Sequence, residues 1–96
     1  MCSSDLALNA LREAGDALVG ARSARDEVTA QLTQAQALRR ATSLAELRYR
    51  TGIASYVEVL QAERDLFAAE LALSQAQLRQ LAAAVQLYRA LGGSWR

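Results

Sequence analysis

The chain contains no proline in its 96 residues, and this absence constrains its fold more than any other feature. Proline is the residue that breaks helices most strongly, so long uninterrupted helices are permitted throughout. Residues 7–50 and 56–91 are rich in Ala, Leu, Gln and Arg, which all favour helix. The sequence therefore predicts an all-α protein of two long helices with one interruption, at residues 51–55.

The interruption carries the end signal of one helix and the start signal of the next. Gly52 can adopt the left-handed conformation that closes a helix. The preceding Arg48 and Arg50 suit the negative end of the helix dipole. Ser55 fits the N-cap position of the second helix, and Glu58 lies three residues later, as in a capping box.

The short connection predicts that the two helices are antiparallel neighbours, in a long coiled-coil-like hairpin. Gly92 gives a second C-cap signal, so we expect a tail over residues 92–96. Ser43 and Glu46 resemble another capping box, which leaves a restart inside the first helix as an alternative. Because no glycine or proline precedes that pair, the sequence favours one continuous helix.

Composition argues against several classes of function. The net charge is +1 and all eleven basic residues are Arg, so we expect no basic patch for nucleic acid. Without Lys or His the chain has no Schiff-base amine and no imidazole base, and its single Cys cannot form a metal cluster. No apolar run approaches the roughly 18 residues of a membrane-spanning helix. The sequence predicts neither an enzyme nor a cofactor.

The first six residues, MCSSDL, match neither a signal peptide nor a lipid-modified N-terminus, because no apolar stretch accompanies them. The nucleotides GTG TGC TCT TCC GAT CT, the end of a widely used sequencing adapter, encode this string when GTG is the start codon. We therefore expect residues 1–6 to be adapter-derived and the gene to continue upstream of Ala7. A natural start codon at that point, with no reading frame above it, would contradict this hypothesis.

Two apolar seams run along the second helix when its residues are sorted by sevens. The first, called the leucine seam, follows the alternating three- and four-residue steps of a coiled coil. Its members are Val57, Leu60, Arg64, Phe67, Leu71, Ser74, Leu78, Leu81, Val85 and Tyr88. The second, called the alanine seam, has alanine at every other position. Its members are Val59, Ala62, Leu66, Ala69, Leu73, Ala76, Gln80, Ala83, Leu87 and Ala90.

At about 100° per residue these two seams lie on nearly opposite sides of the helix, so the helix can have two neighbours, as in a wall or barrel. The first helix has a matching small-residue seam, while its other apolar face is patchier. That seam comprises Ala10, Ala14, Ala17, Ala21, Ala24, Val28, Gln31, Ala35, Leu38, Thr42, Ala45 and Tyr49. A plain two-helix coiled coil remains the alternative, although the unbroken alanine column favours the wall.

The stretch from Leu47 to Trp95 resembles the C-terminal part of the outer membrane efflux proteins, the TolC-like outer membrane factors. The matching tip pattern is Tyr49-x-x-Gly52, then Tyr56-x-x-Val59-Leu60-x-Ala62. The matching end is Leu87-Tyr88-x-Ala90-Leu91-Gly92-Gly93-x-Trp95. Asn9 to Leu18 is similar to the start of the same long helix, so the resemblance covers residues 7–95.

The resemblance implies a homotrimer in the full-length protein, with a β-barrel in the outer membrane and an α-helical barrel reaching through the periplasm. This chain looks like the second of two helical hairpins in each protomer. The implied function is a passive part of the periplasmic tunnel of an efflux or type I secretion system. The implied partners are a periplasmic adaptor protein and, through it, an inner-membrane pump. The alternative is a stand-alone helical-hairpin interaction protein.

The resemblance also places the turn at the periplasmic tip of the tunnel. The implied adaptor-docking residues are Thr51, Gly52 and Ile53. The implied residues of the tunnel entrance or gate are Tyr49, Glu58 and Gln61. Simpler interpretations stay open, since any hairpin needs a turn residue such as Gly52, and Glu58 can serve only as the capping acid.

Overall fold

The chain forms two antiparallel α-helices in a computed structural model that describes residues 3–93. The first helix, α1, comprises Ser3–Arg50, and the second, α2, comprises Tyr56–Gly93. The hairpin measures 75 × 15 × 13 Å. Its long dimension matches the length of about 72 Å expected for a helix of 48 residues. The prediction of an all-α antiparallel hairpin is confirmed.

The start of α1 and the end of α2 differ from the sequence expectation. Helix α1 begins at Ser3, four residues before Ala7, and Asp5 in its first turn suits the positive end of the helix dipole. Helix α2 continues to Gly93, so Gly92 lies inside the helix and is not the C-cap that the sequence predicted. Glycine permits a left-handed cap but does not require one. Residues 1–2 of the predicted leader and residues 94–96 of the predicted tail, including Trp95, lie outside the described part.

Helix α1 passes without interruption through Ser43 and Glu46, so the restart signalled by that pair is not realised. Gly15 and Gly20 also lie within the continuous helix. The N-cap residue of a capping box has a non-helical backbone, whereas Ser43 continues the helix.

The alanine seam of α2 is the face that packs against α1. Every one of its members is buried or half-buried, and the same holds for the small-residue seam of α1 except Tyr49. The centre of this contact is a cluster of Ala35, Ala69 and Leu73. Among residues 3–93 no large side chain is fully buried, so the core of the hairpin is built mostly from small residues.

The leucine seam is exposed along its whole length, on the side of α2 away from α1. Phe67 is 70% exposed, Leu78 is 68% exposed and Tyr88 is 81% exposed. A plain two-helix coiled coil would bury its largest apolar side chains between the helices. Here they face outward, so α2 keeps a second apolar face uncovered, as the two opposed seams predicted.

A buried hydroxyl joins the helices within the core. Thr42 is 6% exposed, and its hydroxyl lies 2.8 Å from the carbonyl oxygen of Leu38 and 3.2 Å from that of Ala62 in α2. A buried hydroxyl without a partner would destabilise the core, and the shorter bond to Leu38 already removes that penalty. The longer contact to Ala62 adds a link to the facing helix. It also requires the two backbones to lie close together at this point.

Ion pairs at the edges of the contact join the helices on their solvent-exposed sides. Arg39 Nη2 lies 3.3 Å from Glu70 Oε2, with both side chains about half exposed. Arg79 pairs with Glu27 nearer the open end of the hairpin. Exposed pairs of this kind add little stability.

Candidate functional site at the hairpin tip

The turn at residues 51–55 is closed by Gly52, whose φ of +82° lies in the left-handed region. The Gly52 amide donates to the carbonyl oxygen of Tyr49 at 3.0 Å, and the Ile53 amide donates to that of Arg48 at 2.8 Å. These two bonds are the pair that defines a Schellman C-cap. The Ala54 amide also reaches the Arg48 carbonyl oxygen, at 3.2 Å. The turn is therefore held by main-chain hydrogen bonds to the last residues of α1.

The three residues predicted to dock an adaptor have different surroundings. The Thr51 hydroxyl turns back to the end of α1, 3.0 Å from the carbonyl oxygen of Leu47 and 3.1 Å from that of Arg48. Gly52 supplies the left-handed conformation. Ile53 is 71% exposed, although the residue at its position in a Schellman cap often packs against the helix. Ile53 is therefore the apolar side chain that the tip presents to solvent.

The start of α2 differs in detail from the predicted capping box. Ser55 precedes the first helical residue as expected, but the Glu58 amide donates to the Ser55 carbonyl oxygen, at 3.1 Å. The Glu58 carboxylate lies 3.6 Å from the Arg48 guanidinium, across the turn. The attraction of opposite charges thus draws this carboxylate to α1, so the reciprocal side-chain bonds of a capping box are not formed here.

The remaining predicted gate residues lie on the same end of the hairpin. The ring of Tyr49 contacts the ring of Tyr56, with centroids 5.2 Å apart and planes tilted by 53°. Gln61 is exposed one helical turn beyond Glu58. The structure therefore places Tyr49, Glu58 and Gln61 within the first turns on either side of the tip, with Tyr49 packed on its own hairpin.

Two contacts at the tip were missed by the sequence analysis, which assigned Arg48 only to the helix dipole. Arg48 and Glu58 are each five residues from Ile53 along the chain. Tyr49 lies four residues before Ile53 and Tyr56 three residues after it, so this pair is also nearly equidistant from the turn. In an antiparallel hairpin, residues equidistant from the turn face each other. Glu27 and Arg79, each 26 residues from Ile53, follow the same rule. Pairing positions about the turn would have found these contacts.

Residues 3–93 contain neither a cluster of metal-binding side chains nor a membrane-spanning helix. No group of three or more His, Cys, Asp or Glu side chains is placed to hold a metal ion there. Neither of the two described helices contains a stretch that is both long and apolar enough to cross a membrane.

The sequence profile of a family described as outer membrane efflux protein matches residues 6–93, which include the turn, α2 and all but the first three residues of α1. The chain belongs to the outer membrane efflux protein family. This confirms the resemblance that the tip motif and the Leu-Tyr-x-Ala-Leu-Gly-Gly ending indicated. The match spans nearly the whole hairpin, so the exposed leucine seam and the tip are both parts of a segment typical of this family.

The chain is also similar in sequence to individual members of the family. The chain is 42% identical over 86 residues to the probable efflux pump outer membrane protein TtgC of Pseudomonas putida, covering 90% of this chain and 18% of that protein. It is 38% identical over 88 residues to the cation efflux system protein CusC of Escherichia coli O6:H1, covering 92% of this chain and 19% of that protein. It is 36% identical over 86 residues to the outer membrane protein OprJ of Pseudomonas aeruginosa, covering 90% and 18% respectively. The chain thus spans less than a fifth of the length of these relatives.

Proposed function

We propose that this chain forms one hairpin in the wall of the periplasmic tunnel of an outer membrane efflux channel. The observation that carries the proposal is the pair of opposed seams on α2. The alanine seam is covered by α1, while the leucine seam is exposed from Val57 to Tyr88. A helix in the middle of a wall needs an apolar face on each side, whereas a self-contained hairpin needs only one.

In the proposed assembly the full-length protein is a homotrimer in the outer membrane, and this segment lies in the periplasm. The hairpin acts as a passive conduit and not as an enzyme, with the energy supplied by an inner-membrane pump through a periplasmic adaptor. Proteins similar to this chain are named for the efflux of antibiotics, toluene and cations. We therefore propose that the hairpin itself does not select the substrate.

The tip is the proposed docking point for the adaptor, and Ile53 is its central residue. Ile53 is 71% exposed, on a turn whose amides already donate to carbonyl oxygens at the end of α1. A rigid turn with a free apolar side chain can contact a partner without first rearranging, which favours binding.

Cysteine crosslinking in the full-length parent tests this docking. Ile53→Cys should form a crosslink to the adaptor in cells. Val19→Cys, at a residue of similar exposure (68%) far from the turn, is the matched control and should not. Equal crosslinking of both variants, or none at Ile53→Cys, would count against adaptor docking at the tip.

Glu58 is the proposed source of negative charge at the tunnel entrance, with three copies in a trimer. Rings of carboxylates favour the passage of cations. Arg48 lies 3.6 Å from this carboxylate and so offsets part of its charge. In single-channel recordings of the full-length parent, Glu58→Gln should lower cation selectivity and Arg48→Gln should raise it. Glu63→Gln, on a different strip of α2, is the control, and a change equal to that of Glu58→Gln would contradict the gate role.

A further inference from the structure

We propose that two copies of the 96-residue chain, when present alone, associate through their leucine seams with the two α2 helices antiparallel. This association needs only the 96-residue chain and does not rest on the tunnel function. The hairpin leaves a large apolar surface in solvent.

The exposed seam is large enough to form an interface. Its eight apolar members are each at least 45% exposed, and the list is Val57, Leu60, Phe67, Leu71, Leu78, Leu81, Val85 and Tyr88. Together they expose on the order of 900 Å², more than the roughly 300–600 Å² of the largest patch on a typical monomer. The same area matches the roughly 800 Å² that each partner contributes to a standard stable interface.

The outer face of α1 shows why the partner surface is a second leucine seam. Along the middle of α1 the exposed residues opposite its small-residue seam are mostly polar, and the apolar ones among them are the small Ala30 and Ala37. The polar ones include Arg22, Asp26, Thr29, Thr33, Gln36 and Arg40. A head-to-tail contact of the leucine seam with this face would cover apolar side chains with polar ones. A two-fold contact of seam with seam places apolar against apolar and closes after two copies.

The charge of Arg64 sets the orientation. In a parallel pair the two copies of Arg64 would meet at the same level of an apolar seam, where like charges repel each other. In an antiparallel pair with full overlap, Arg64 lies opposite Leu81 and Ser74 lies opposite Leu71. The methylene stem of Arg64 then covers apolar surface while its guanidinium reaches solvent. The four helices lie side by side in the order α1, α2, α2 and α1.

Sedimentation at micromolar concentration tests the association. The chain should be dimeric, and Leu78→Glu should convert it to a monomer with unchanged helix content by circular dichroism. Leu78 is 68% exposed, so this substitution leaves the core of the hairpin intact. Val19→Glu, at an equally exposed residue of α1, should remain dimeric. If the unsubstituted 96-residue chain is monomeric, or if Leu78→Glu leaves it dimeric, the proposal is overturned.

Disulfide formation between two single-cysteine chains tests the orientation, with Cys2→Ser as the background. Full antiparallel overlap places position 67 beside position 78 of the other copy. Mixing the Phe67→Cys and Leu78→Cys chains should therefore give mostly the mixed disulfide, several-fold above either homodimer. Predominant 67–67 and 78–78 disulfides would indicate a parallel pair and overturn the antiparallel assignment.

Discussion

The two seams of α2 have the same spacing but opposite surroundings. The alanine seam, with Ala69 and Ala76 at 5% and 0% exposure, packs on α1, while the leucine seam, with Phe67 at 70%, faces solvent. If the size of the apolar side chains decided which face packs in the hairpin, the leucine seam would be inside. Instead the small residues are inside, because they allow the two helix axes to come close and bring backbone and side-chain atoms into contact.

This difference separates two roles of apolar residues in the molecule. The alanine seam joins the helices of the hairpin, and the leucine seam is left for a further neighbour. The hairpin core alone is thin, since its fully buried positions are alanines such as Ala35 and Ala76. Because most helical stability in proteins comes from packing, a second neighbour on the leucine seam should contribute much of the stability of the assembled protein.

The largest expected effect comes from the one leucine at the centre of the alanine seam. Leu73 is 8% exposed and belongs to the central cluster. Leu73→Ala should lower the free energy of unfolding by about 2–5 kcal/mol, since it removes buried methyl groups and leaves a cavity. Urea unfolding followed by circular dichroism measures this change, at a concentration where the chain is monomeric.

Leu71→Ala is the matched control, because Leu71 lies two residues away on the leucine seam and is 51% exposed. The same chemical change at this position should cost less than about 1 kcal/mol in the monomer. Equal losses for the two variants would mean that the two seams do not differ in the isolated hairpin.

Enlarging a residue of the alanine seam should have the next largest effect. Ala35 is fully buried against Ala69 and Leu73. Ala35→Leu should destabilise the hairpin by about 1–3 kcal/mol, because the added carbon atoms force the helices apart. Ala37→Leu, two residues along α1 at an exposed position, controls for helix propensity and should change stability by less than about 0.5 kcal/mol. A neutral Ala35→Leu would show that close approach of the helices is unnecessary.

Removing the buried hydroxyl of Thr42 tests whether a polar contact between the helices also contributes to stability. Thr42→Val keeps the shape and the β-branch but removes both the bond to the Leu38 carbonyl oxygen within α1 and the contact to the Ala62 carbonyl oxygen of α2 at 3.2 Å. The expected loss is about 0.5–1.5 kcal/mol, the usual contribution of one hydrogen bond. Thr33→Val is the control, because the Thr33 hydroxyl donates only within α1, to Thr29, and is exposed. A larger loss for Thr33→Val than for Thr42→Val would argue against the interhelix role.

Much of this architecture follows from the sequence. The periodicity of seven predicted both seams, and Gly52 between two proline-free stretches predicted the turn. The same periodicity did not assign which seam faces α1, because both seams satisfy the coiled-coil spacing. That choice depends on how closely the helices approach, which is a property of the pair and not of either helix.

The tip was predicted in outline but not in its contacts. The capping rule assigned Glu58 to the start of its own helix because such rules consider only neighbours within one turn. The observed pairing with Arg48 depends on the antiparallel alignment about Ile53. At Gly92 a local rule failed in a different way: the glycine signalled the end of α2, but the helix continues to Gly93.

The smallest expected effect concerns the ion pairs beside the alanine seam. Glu70→Gln removes the charge that lies 3.3 Å from Arg39, where both side chains are about half exposed. The expected loss is about 0.2–1 kcal/mol, and it should shrink as salt is added because ions screen exposed charges. Glu63→Gln, one heptad nearer the tip on the same strip of α2, is the control and should be closer to neutral. If the Glu70→Gln loss persists in high salt, the side chain acts through packing on α1, and the contact between the helices extends beyond the alanine seam.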